Sequence, residues 1–199
     1  CIWAYAGQRR IDQLAMELGD NVSIETHFCS VFPDAWRKID DAWRNRDGFK
    51  GFSDHLNSVA RRFPHIDVNE RLWLETRPRT SSSAHLFLKA IELIEGEATA
   101  ADGLPKPYLD RLTTRAAWEI RKAFFSSGLD ISDWGVLAKI AERLGIGYSA
   151  IETKVRSSEA VAQLAADYDL TRKYDVVVSP TLIMNDGRQR LHGNVGYRL

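Results

Sequence analysis

Hydrophobic and polar positions divide the chain into segments of two different periods. Residues 1–18 place Ile11, Leu14, Ala15 and Leu18 at helical spacing, with Arg9, Arg10, Asp12, Gln13 and Glu17 on the opposite face. Gly19-Asp20-Asn21 stops that helix. Val22, Ile24, Thr26 and Phe28 then alternate with Ser23, Glu25, His27 and Cys29, the period of a half-buried strand. Asp34 caps a short helix to about residue 46 carrying Trp36, Ile39 and Trp43, and a second runs over 52–63 until Pro64. Residues 66–80 are irregular, with a short extended piece at Leu72 and Leu74 around Trp73. The helix predicted for 84–95, capped by Ser81, Ser82 or Ser83, buries Leu86, Phe87, Ala90, Ile91 and Ile94, and 97–107 reads as a loop. Further helices are expected over 108–125, over 134–144, from 148, and over 159–168.

The last stretch returns to strand character. Val176-Val177-Val178 is β-branched, Ser179-Pro180-Thr181 interrupts it, and Leu182-Ile183-Met184 resumes it. Asn185-Asp186-Gly187-Arg188 is a hairpin turn leading into a return strand over 189–192. The order is helix, strand, helical block, hairpin: an α/β sheet interrupted by a helical insertion, with no repeat.

Composition narrows the function. Of 199 residues, 44% are hydrophobic and 27% charged, and 27 basic residues balance 27 acidic ones. There is no electrostatic footprint for nucleic acid, no polybasic patch for a membrane surface and no run long enough to span a bilayer. Two cysteines cannot form a disulfide framework, and no Cys/His cluster has metal-ligand spacing. Such usage points to a reducing, cytoplasmic compartment. A mature lipoprotein also begins with cysteine, but Ile2-Trp3 suits a packed helix better than a tether.

The candidate chemistry lies at the two ends. Cys1 opens a helix, where the macrodipole and unpaired N–H groups favour thiolate, making it a candidate nucleophile; a small apolar residue that merely comes first is the alternative. Pro180 removes a ladder donor inside a strand, so it belongs at a strand start, edge or bulge. A trans bond is the commoner state there and a cis Ser179–Pro180 bond the alternative, since ~5–6% of X–Pro bonds are cis.

Taken together, Cys1-Ile2-Trp3-Ala4-Tyr5, a strand ending near Cys29, a helical block and Val178-Ser179-Pro180-Thr181 before a hairpin resemble the DsbA family of thioredoxin-like proteins. Phe124-Phe125 followed by Asp130-Ile131-Ser132-Asp133 adds to the likeness. The nearest branch holds FrnE-like proteins and 2-hydroxychromene-2-carboxylate isomerases. The resemblance implies a discontinuous thioredoxin-like domain over 1–33 and 158–199 with a helical insertion over 34–157. That fold also has a strand before the nucleophile and a helix after the hairpin. Neither is present in residues 1–199, so we expect the sequence to be an excerpt of a longer chain.

By the same resemblance Cys1 is the nucleophile of a C-x-x-C motif, Ile2 and Trp3 are its variable dipeptide, and Ala4 stands where the resolving thiol belongs. One thiol can attack a disulfide but cannot resolve its own mixed disulfide. The implied activity is monothiol exchange with glutathione or a protein thiol as partner, and no tightly bound cofactor or metal. By the same resemblance Pro180 matches the cis-proline loop, and Ser179, Pro180 and Thr181 form the loop that receives a substrate backbone. Cys29 is a secondary candidate as a distant resolving thiol, though a small buried hydrophobe is the commoner role. His27 is a candidate proton donor or a structural histidine, and His192 is equally ambiguous. Trp36, Trp43, Trp73, Trp118 and Trp134 are expected to pack, whereas Trp3 stands beside the thiol. Arg77 and Arg79 suit either a glutathione carboxylate or a solvated turn. Two alternatives stay open: a glutathione-dependent isomerase or kappa-class transferase, and a redox-inactive peptide-binding module. The first usually carries serine at the Cys1 position and a Ser-Asp pair near Asn194-Val195. A homodimer is compatible with either.

Overall fold

A computed structural model of the chain describes residues 1–103 and 105–194. Eight α-helices and one hairpin are found among them: α1 (Ile2–Leu18), α2 (Ala35–Trp43), α3 (Gly48–Ala60), α4 (Ser82–Asp102), α5 (Leu112–Phe125), α6 (Trp134–Arg143), α7 (Tyr148–Arg156), α8 (Glu159–Lys173), β1 (Thr181–Met184) and β2 (Gln189–His192). The strands pair antiparallel, Thr181 opposite His192 and Met184 opposite Gln189. Asn185, Asp186 and Gly187 all take positive φ in the turn between them.

Apolar stripes on the helices meet in two cores. In one, Phe87, Ala90 and Ile91 of α4 face Ala116 and Ile120 of α5, Leu137 and Ile140 of α6, Ile151 of α7 and Ala160 of α8. The other is aromatic. Trp73, at φ 69, is centred among Phe32, Phe49, Phe52 and Phe124, with ring centroids 5.3–6.3 Å away. Ile2 and Tyr5 of α1 enter this second core beside Ile39, Leu56, Val59 and Phe125. The α2–α3 corner depends on one glycine: a Cβ on Gly51 would fall 1.8 Å from the Arg46 carbonyl oxygen.

Val176–Val178 lie outside the hairpin, whose first strand begins at Thr181, and other departures from the expectation have plain physical reasons. Residues 22–30 form no strand, although Val22 is extended, because among the described residues no second strand lies alongside to complete a ladder. The α1 stripe at Leu14 and Leu18 is exposed, and burial falls instead on Ile2, Tyr5, Ala6, Gly7 and Gln8. Periodicity names a face, not what covers it, and no other element covers this end of α1 in the described residues. Helix α4 runs through the expected loop at 97–102, since Ala98, Ala100 and Ala101 favour helix until Gly103 turns left-handed and its N–H bonds Thr99 O at 2.8 Å. Trp36 is exposed rather than packed; its indole donates to Arg77 O at 2.8 Å.

One cap ties two helices together. Buried Glu95 of α4 accepts from Leu112 N–H (2.7 Å), Thr113 N–H (3.3 Å) and Thr113 Oγ1 (3.1 Å), satisfying the free donors at the start of α5. Glu95→Ala is expected to lower unfolding stability by about 1–3 kcal/mol, read from urea denaturation, with Glu95→Gln losing less.

Candidate functional site

The first turn of α1 is held by its buried side. Tyr5 stacks on Phe125 at 4.9 Å, and its hydroxyl lies 3.1 Å from Ser126 Oγ and donates to Asp67 O at 3.4 Å. His65 Nε2 reaches Ala6 O at 3.0 Å. With Ile2 anchored in the same core, Cys1 sits exposed at the N-cap, and the Tyr5 N–H bonds its carbonyl at 3.1 Å.

The opposite wall comes from the other end of the chain. The Ser179–Pro180 bond is cis. Gly193 N–H bonds Pro180 O at 2.8 Å and Thr181 Oγ1 donates to Val178 O at 2.8 Å, so the loop is braced from both sides. The Cys1 thiol donates to Ser179 O at 3.2 Å. That contact joins residues 178 positions apart and brings Cys1, Ser179, Pro180 and Thr181 into one place. Two influences then act on the sulfur in opposite senses. The head of α1, with no acidic residue in its first turn, favours the thiolate; the Ser179 carbonyl favours the thiol that can donate to it.

The other expected residues fall differently. Ile2 is buried, while Trp3 and Ala4 are half-buried. Trp3 packs edge-on to Phe63 with centroids 5.9 Å apart. Cys29 is a free, half-buried thiol. His27 pairs with Asp167 and Glu25, and His192 Nδ1 lies 3.5 Å from Thr181 Oγ1. Arg77 Nε donates to Trp73 O at 2.8 Å, and Arg79 is paired with Asp34 at 2.9 Å. Asn194 Oδ1 accepts from Arg10, and Val195 lies outside the described residues. Among the described residues no His, Cys, Asp and Glu group could hold a metal, and no helix is long and apolar enough to cross a membrane.

A charge cluster centred on two buried groups, Asp167 and Lys89, joins α4 and α8 to residues 27–28. Asp167 of α8 accepts from His27 Nδ1 (2.8 Å), Phe28 N–H (2.9 Å) and Lys89 Nζ of α4 (2.9 Å), and Lys89 also reaches Glu92 at 2.8 Å. Burial works against the Asp167 carboxylate, but these donors outweigh it and hold its pKa below the usual range. The hydrogen bond to Asp167, chiefly, raises the His27 pKa. His85, stacked on Phe28 at 4.9 Å, is driven the other way by burial, to about 4, and stays neutral near pH 7. One signal for the cluster was present in the chain: Lys89 interrupts the apolar run Phe87-Leu88-Ala90-Ile91.

A family model described as thioredoxin matches residues 1–195. The chain belongs to the thioredoxin family. Its fold is the DsbA-like form, with a block of helices set into the thioredoxin frame. Among solved structures it is similar to a protein from Nitrosomonas europaea, provisionally named a protein disulfide isomerase, at TM-score 0.68 and 17% identity over 96% of this chain and 82% of that one. It is also similar to a 2-hydroxychromene-2-carboxylate isomerase, at TM-score 0.63 and 15% identity over 98% of this chain and 84% of that one. No curated protein matches.

The cluster yields two expectations. Removing Lys89 as Lys89→Met leaves Asp167 buried without its cation, a loss of about 3–5 kcal/mol, whereas Lys89→Met with Asp167→Asn recovers part of it in urea unfolding. A raised His27 pKa makes its contribution complete below the ordinary value of 6.5 and lost as pH rises through the folded value. The stability difference between the native chain and His27→Gln should therefore shrink from pH 6 to pH 9.

Proposed function

We propose that this chain is a thiol–disulfide exchange enzyme working through Cys1 alone. The observation that carries the reading is the Cys1 sulfur 3.2 Å from Ser179 O, at the head of an anchored helix and against the cis Ser179–Pro180 loop. Thioredoxin family membership makes disulfide chemistry the natural use of such a thiol.

The Cys1 thiolate attacks one sulfur of a disulfide R–S–S–R. A Cys1–S–S–R bond forms, the original bond breaks, and R–S⁻ leaves with the electron pair. Ala4 supplies no second thiol, so an external one, such as glutathione, attacks the mixed disulfide as its thiolate and returns Cys1 to the thiolate form. Ser179 lies outside the β1–β2 ladder, which leaves its backbone N–H available to an extended substrate, as in strand addition. A reducing compartment such as the cytoplasm suits an enzyme whose two thiols are both free. The isomerase alternative has less support, because its branch carries serine where this chain has Cys1.

The test is turnover of 2-hydroxyethyl disulfide with glutathione as reductant, followed by coupled glutathione disulfide formation. Activity is expected in the native chain and in Cys29→Ser, and Cys1→Ser should fall to the uncatalysed rate. Turnover that survives in Cys1→Ser would overturn the reading.

A further inference from the structure

Just past the end of α3, the segment Arg61-Arg62-Phe63-Pro64-His65 lies against the first turns of α1. Its Arg62 guanidinium sits over the Trp3 ring at 5.5 Å from the centroid, and 6.0 Å from that of Phe63. Trp3 is two residues from Cys1, in the same helical turn. Arg62 is exposed, and no carboxylate pairs with it among the described residues. The two arginines expected to meet a substrate carboxylate are otherwise engaged: Arg77 stacks over Phe49 at 4.4 Å and bonds Trp73 O, and Arg79 is neutralised by Asp34.

From this arrangement we infer that Arg62, steadied on Trp3, is a specificity-determining residue that binds a carboxylate of the disulfide attacked by Cys1. A cation–π contact with Trp3 holds the exposed guanidinium near the head of α1 with its N–H groups toward solvent, and a guanidinium matches a carboxylate in bidentate fashion. The N-terminal dipole of α1 adds positive potential at Cys1 itself, with no acidic residue in the first turn to cancel it. A neutral or cationic disulfide gains nothing from either feature. The inference rests on the exchange reading above and names the substrate class it favours: disulfides with a carboxylate near the reacting sulfur. That carboxylate belongs either to glutathione or to an acidic side chain of a peptide.

The experiment measures the rate of mixed-disulfide formation at Cys1, located by peptide mass spectrometry, in the full chain and in Arg62→Gln and Arg62→Lys. The probes are glutathione disulfide, 2-hydroxyethyl disulfide, cystamine, and two peptide disulfides differing only as Glu or Gln beside the cysteine. With a carboxylate probe, Arg62→Gln should slow the reaction about fivefold, Arg62→Lys should lose less, and high salt should shrink the native advantage. Rates with 2-hydroxyethyl disulfide should be unchanged, which also shows that the variants are folded. A loss confined to glutathione disulfide assigns the carboxylate to glutathione, and one confined to the Glu peptide assigns it to protein substrates. Equal losses with neutral and acidic probes, or no loss with any, would overturn the inference while leaving Cys1 exchange standing. Failure of every probe to react at Cys1 in the native chain would overturn the exchange reading, and this inference with it.

Discussion

The hydrogen bond from the Cys1 thiol to Ser179 O is the constraint on which the candidate site depends. A contact between the two ends of the chain is useful only if both ends are fixed, and each is fixed by a different kind of interaction. On the Cys1 side, burial of Ile2 and the Tyr5–Phe125 stack set the direction of the helix that carries the thiol. On the Ser179 side, backbone pairing does the work, through Gly193 N–H on Pro180 O and the β1–β2 ladder. An aromatic core and a short hairpin thus present one sulfur beside one carbonyl, with the sulfur still exposed.

Between these ends the segment at 22–30 has no ladder partner in the described residues, yet it is held. Asp167 grips the Phe28 N–H and the His27 ring, and Arg111 Nη1 donates to Ile24 O at 2.7 Å. A side chain of α8 and the residue just before α5 thereby take over backbone fastening that a neighbouring strand performs in a complete sheet. Burying Asp167 and Lys89 together is tolerable because each is the other's counter-charge and both have further hydrogen-bond partners.

Much of this was legible in the chain because local signals and tertiary roles coincide. The Asn185-Asp186-Gly187 turn fixed the hairpin, Asp34 capped α2 as its residue type suggests, and Pro180 marked the loop that meets Cys1. What was not legible needed a partner from far along the chain. Alternation at 22–29 predicts a strand, but a strand exists only with a neighbour. The α1 stripe predicts an amphipathic face, but the core takes the first two turns because that is where α3 and α5 lie. Arg62 carries no motif, and its interest comes only from landing on Trp3.

Thiol–disulfide exchange through Cys1 requires the head of α1 to outweigh the Ser179 carbonyl, so that the sulfur is a thiolate near neutral pH. The direct measurement is the iodoacetamide alkylation rate of Cys1 against pH, resolved from Cys29 by peptide mass spectrometry. An apparent pKa well below that of a free thiol, about 8.5, is expected for an activated Cys1. A value at or above about 8.5, with Cys1 reacting no faster than a free cysteine, would contradict it.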